Sequence, residues 1–148
     1  MARALYEKDV VRWAQEQARL LREGDFARLD IEHIADEIED VGKAEQRELA
    51  SRMAVLLAHL LKWRFQPQLR TKSWRDTIDI QRKSIARRIE ATPSLKATLR
   101  DSEWQDDIWL DALNAAIAET GLDRAVFPAA FPLPIEQALD PEFWPDET

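Results

Sequence analysis

DIEHIADEIEDVGKAEQRELASRMAVLLAHLLKWRFQP, residues 30–67, decides the fold. Ile31, Ile34, Ile38 and Val41 follow one another at steps of 3, 4 and 3, and Leu49, Met53, Leu56 and Leu60 resume the stripe, widened by Leu57 and Leu61. That period places the apolar residues on one side of an α-helix. Asp30 is a good N-cap, and Pro67 ends the helix near Gln66, because proline disfavours helical geometry in the residue before it. Gly42 lies between the two halves, at a cost of about 1 kcal/mol relative to alanine. The spacing therefore predicts one long helix or two meeting near Gly42.

The flanks read the same way. Leu5, Val10, Trp13, Ala14, Ala18 and Leu21 predict a core-facing helix over residues 5–22, closed by Gly24. A third helix starts at Ser73 and buries Trp74, Ile78, Ile85 and Ile89. A fourth starts near Thr92 with Pro93 in the first turn and runs to Gly121. Its core candidates are Leu95, Leu99, Leu110, Leu113 and Ile117, with Trp104, Ile108 and Trp109 broadening the face. Five of the seven prolines follow Gly121, around a short helix over residues 135–139. Phe127, Phe131, Leu133, Phe143 and Trp144 are too apolar for a free tail, so this stretch is expected to dock. No strand alternation and no repeat occurs. The expectation is all-α: four main helices in a bundle-like packing, with a Pro-rich C-terminal segment wrapped on the surface. As domains, it is a single one over 1–148, with the bundle at about 5–121 and the docking tail at about 122–148.

Composition excludes several chemistries. The 148 residues include 3 glycines and no cysteine, so there is no Gly-rich phosphate loop, disulfide or thiolate nucleophile. Ser51, Ser73, Ser84, Ser94 and Ser102 fall in helices or caps, outside any strand-turn-helix elbow. Residues 53–61 are apolar apart from His59, far short of the roughly 20 a membrane span needs. The N-terminus has no apolar secretory core, so a cytoplasmic location without membrane contact is expected.

YEKDVVRWAQEQARLLREG from Tyr6, LLAHLLKW from Leu56 with QP at 66–67, SWRDTIDIQRKSI from Ser73, PSLKATL from Pro93, TGL from Thr120 and FPLPIEQALDPEFWP from Phe131 lie in order along the chain. Together they make the sequence resemble a bacterial family, the domain of unknown function DUF29. The resemblance implies an all-helical domain and carries no activity. Members often have a cysteine where this chain has Phe131.

Charge is unevenly spread. Residues 62–100 carry 11 basic and 3 acidic side chains, while residues 101–148 carry 1 basic and 12 acidic, within an overall charge of −7. Either the two segments pair with each other, or the basic one meets an anionic partner. Lys62, Trp63, Gln66, Arg70, Trp74, Arg75, Gln81 and Arg82 combine Trp with Arg astride the turn between the second and third predicted helices. That composition suits a protein-partner site and equally an internal clasp. Nucleic-acid binding through Arg82, Lys83, Arg87 and Arg88 is the alternative, disfavoured by the net charge. A metal enzyme would have to use Asp30, His33, Glu37 or His59, which match a di-iron pattern once at best. Asp36, Glu37, Glu39 and Asp40 read as a solvated face, unless Glu37 turns inward to Lys62, Arg75 or Arg82. No cofactor is implied. The expected function is a non-enzymatic interaction module with an unknown protein partner, and self-association is open because six tryptophans are many for this size.

Overall fold

The computed structural model describes residues 2–146. Among them the chain forms seven α-helices and no strand: α1 (Ala2–Lys8), α2 (Val10–Glu23), α3 (Ile31–Phe65), α4 (Lys72–Ala91), α5 (Leu95–Arg100), α6 (Ser102–Thr120) and α7 (Ile135–Leu139). The protein is all-α. Gly42 lies inside α3, which is one helix from Ile31 to Phe65.

Seven helices appear where spacing predicts four main ones and a short fifth, because two predicted helices divide at an aspartate. Asp9 leaves the helical region (φ −152°, ψ 87°), and its carboxylate accepts from the Arg12 amide at 3.1 Å, so α2 begins anew. Asp101 does the same between α5 and α6, accepting from the Glu103 amide at 3.2 Å. A short polar side chain that bonds its own backbone offers a local alternative to the helical ladder. The cap of α4 is Thr71 rather than Ser73, its hydroxyl accepting from the Trp74 amide. Gly24 and Gly121 close α2 and α6 in the left-handed conformation, at φ 73° and 71°.

The chain divides into two compact units, one ending at Glu45 and the other beginning at Gln46. In the second, α3 contributes Leu49, Met53, Leu56, Leu57, Leu60 and Leu61 to the core, as the period predicts. Ile78 and Ile85 of α4, Leu95 and Leu99 of α5, and Ile108, Trp109, Ala112, Leu113 and Ala116 of α6 complete it. Each fully buried Leu or Ile contributes about 1.5–3 kcal/mol. Leu110, expected inside, is half exposed on α6. The Pro-rich segment docks on this unit. Phe127, Ile135 and Ala138 are buried, Phe127 stands edge-on to Phe65 at 5.2 Å, and the Trp109 indole donates to the Pro128 carbonyl. Phe131 packs edge-on against Trp109 at 5.5 Å.

In the first unit the periodicity misleads. α2 buries Trp13, Gln17 and Leu20, while Val10, Ala14 and Leu21 of the predicted stripe are exposed. That face also buries Gln17, whose side-chain oxygen accepts from the Asp30 amide at 2.8 Å while its Nε2 has no partner among the described residues. On α3, Ile31 is 68% exposed, Ile38 67% and Val41 68%, so these residues of the predicted inward stripe face solvent while Ile34 is half-buried.

Candidate functional site

The eight Trp/Arg candidates gather in the second unit, around the C-terminal segment. Trp63 is buried and meets Trp144 at 4.7 Å with an interplanar angle of 49°. Three guanidinium groups surround this pair. Arg70 lies 4.7 Å from the Trp63 ring, Arg75 5.5 Å from Trp63 and 5.2 Å from Trp144, and Arg82 5.5 Å from Trp144. Arg70 also donates from Nε to the Trp63 carbonyl at 2.8 Å. Arg82 is buried and donates to two carbonyls of the C-terminal segment, from Nε to Ala138 at 2.9 Å and from Nη2 to Phe143 at 2.7 Å. Lys62 is buried, pairs with Glu119 at 2.7 Å, and stands 4.9 Å from the Trp74 ring. Gln81 accepts from Arg52 at 3.4 Å. Gln66 follows the end of α3, its amide donating to the Lys62 carbonyl. The sequence shows one half of this arrangement. Trp144 is its other half, and only the docking of the C-terminal segment brings it there.

The four basic candidates for nucleic acid separate. Arg82 faces inward, and Arg88 bonds Glu48 at 3.2 Å; Lys83 and Arg87 are exposed. The Lys62–Glu119 pair joins the basic segment to the acidic one, so part of the charge asymmetry is satisfied internally.

Asp30, His33 and Glu37 come together in the first unit, around two aromatic rings. His33 Nδ1 donates to the Asp30 carboxylate at 2.7 Å, and the Trp13 indole donates to the same oxygen at 3.0 Å. Tyr6 stacks on His33 at 3.9 Å, and its hydroxyl donates to Glu37 at 2.6 Å. Glu37 thus finds a phenol rather than the cations its inward-facing alternative requires. Burial alone would raise the Asp30 carboxyl, but the bonds from His33 and Trp13 outweigh it and hold the group below its ordinary value. These contacts use the carboxylates for folding. No group of three or more His, Cys, Asp or Glu among the described residues is placed to hold a metal ion.

His59 lies in the second unit, on a groove of about 420 Å³ lined also by Arg47, Ser51, Val55, Asp111 and Glu119. Its Nδ1 donates to the Val55 carbonyl at 2.8 Å, which leaves Nε2 as the basic nitrogen. Burial pushes its pKa down; the Val55 bond and Glu119 raise it, and Lys62 lowers it further. A histidine depressed in the folded state stabilises the fold above its unfolded pKa, about 6.5, and loses that contribution as pH falls through the folded value. Thermal melts should therefore show the protein losing stability below about pH 6.5. H59Q should flatten that part of the profile, and an unchanged slope would exclude His59 as its source.

The exposure of one apolar face runs against the periodicity. Ile31, Ile38 and Val41 stand exposed on α3 beside Asp36, Glu39 and Asp40. Periodicity identifies such a face as apolar but does not say what covers it. Among the described residues no helix is long and apolar enough to cross a membrane.

The chain matches the family model for the domain of unknown function DUF29 over residues 5–144. No curated protein and no solved structure matches it. The aromatic clasp and helices α2 to α7 fall within the matched residues, and the chain belongs to the DUF29 family.

Proposed function

We propose that the protein is a non-enzymatic protein-interaction module, and that its contact surface is the outward face of the first half of α3. The observation that supports this is the exposure of Ile31, Ile38 and Val41 at about two-thirds each, in a register that ordinarily faces a neighbouring helix. Single exposed aliphatics are ordinary, whereas several on consecutive turns of one helix mark a surface that another molecule covers. The Trp/Arg cluster of the second unit supports the reading indirectly. Its side chains are spent on holding the C-terminal segment, which leaves the first unit as the place for a partner. Lys83 and Arg87 alone are a small footprint for nucleic acid, whose affinity grows with each phosphate neutralised.

The test is affinity capture from the native host with the tagged chain and with I38D, each with and without nuclease. Ile38 is exposed, so the substitution should change the urea-unfolding free energy by less than about 1 kcal/mol. A protein captured by the parent chain, resistant to nuclease and lost with I38D is the expected result. Equal capture by both chains would refute the assignment of the surface.

A further inference from the structure

Resting on that reading, we infer that the partner presents a basic amphipathic helix to α3. Three observations fix the chemistry. The first is shape. Ile31, Ala35, Ile38 and Gly42 follow at steps of 4, 3 and 4 along α3, with Val41 beside them. That strip is about 17 Å long, three helical turns, which matches the contact of one helix lying along another.

The second is Gly42. It caps nothing, has no positive φ, and a Cβ built there would meet no atom within 4 Å. Nothing within the chain therefore requires a glycine that costs about 1 kcal/mol in a helix interior. Without a side chain, the backbone at the end of the strip is open to close approach by another helix.

The third is charge. Between residues 31 and 42 there are five carboxylates, Glu32, Asp36, Glu37, Glu39 and Asp40, and no Lys or Arg. Glu37 is bonded to Tyr6, and Glu32 is 3.6 Å from Arg3. Asp36, Glu39 and Asp40 are exposed and make no ion pair among the described residues. Glu32, Asp36 and Glu39 continue along α3 at steps of 4 and 3, forming an acidic ridge beside the apolar strip. A second copy laid on this face would set like charges beside each other, which disfavours self-pairing. Lysines or arginines flanking an apolar stripe would complement it. The negative field is felt locally: the Tyr6 hydroxyl is pushed up to about 12, first by its bond to Glu37, then by burial and the charges of Glu37, Asp36 and Asp40.

The experiment uses the full chain and three fluorescein-labelled peptides of about four turns. All carry leucine at the spacing of one helical face, and the remaining positions are lysine, glutamine or glutamate. By anisotropy, the lysine peptide should bind at least about tenfold more tightly than the glutamine peptide, and the glutamate peptide should not bind. I38D should weaken the lysine peptide at least about tenfold although it adds a negative charge. E39K, a surface change on the ridge, should weaken it while leaving the glutamine peptide unaffected.

The outcomes separate cleanly. Undiminished binding of the lysine peptide to I38D would mean attraction to bulk charge alone, and would overturn the inference. Equal binding of the glutamine and lysine peptides, both lost with I38D, would overturn the basic partner while leaving the interaction surface intact. A dimer of the free chain by light scattering, dissociated by I38D, would make a second copy the occupant. If I38D changes neither peptide binding nor assembly nor capture, the proposed surface fails with the inference.

Discussion

Replacing Arg82 with alanine is expected to destabilise the protein by about 3 kcal/mol and to free the C-terminal segment. Arg82 is 4% exposed, and its guanidinium donates to the Ala138 and Phe143 carbonyls. Hydrogen bonds from a charged donor are worth about 1.5–3 kcal/mol each. Against that gain stands desolvation: burial pushes the Arg82 pKa down, while Asp79 and Asp140 draw it back up. The balance still favours the native arginine, because its removal strands two carbonyls. R82M separates the causes. It keeps much of the aliphatic stem, so it should lose nearly as much as R82A if the hydrogen bonds dominate, and recover if packing does. Urea unfolding gives the magnitude, and limited proteolysis beyond Gly121 reports release of the segment. A loss below about 1 kcal/mol would show that Arg82 does not hold it.

The second large effect is expected at Trp63. W63A should cost about 3–5 kcal/mol, the range for deleting a buried aromatic. The indole is buried, pairs with Trp144, and faces the guanidinium groups of Arg70 and Arg75. W63F should recover more than half of the loss, because a smaller ring still fills the site. Trp63 and Arg82 both act on Trp144, so their effects should not add. A double-mutant cycle by urea unfolding should give a coupling of about 0.5–3 kcal/mol. Strict additivity would mean that the two side chains hold the segment independently.

The sequence carries the second unit well and the first unit poorly, for a physical reason. Leu49, Met53, Leu56 and Leu60 repeat at the helical period and are buried; so are Ile78 and Ile85. In the first unit the same rule selects Ile31, Ile38 and Val41, which are exposed. The period reports that a face is apolar, and burial also requires something to cover it. Gln17 shows the converse, a polar residue inside whose side-chain oxygen takes the Asp30 amide while its Nε2 is left without a partner among the described residues. Capping is equally ambiguous: Asp9 and Asp101 interrupt helices whose apolar spacing continues past them. At the candidate site, composition alone singles out Trp63, Arg70, Arg75 and Arg82. What they hold is not readable from it, because Trp144 and the two carbonyls lie 56 to 81 positions further along the chain than the side chains they meet.

That separation bears on synthesis. Arg82 leaves the ribosome well before its acceptors, and the Phe143 carbonyl is made 61 residues later. At typical rates of translation that is roughly 3 to 12 s. Throughout that interval the guanidinium lacks both carbonyl acceptors, and burying it without them would be costly. The core around Ile78 and Ile85 therefore closes over Arg82 only as the last stretch of chain emerges. A nascent chain stalled before Ala138 should display an open second unit, sensitive to protease and attractive to chaperones, although α3, α4 and α6 have all been translated.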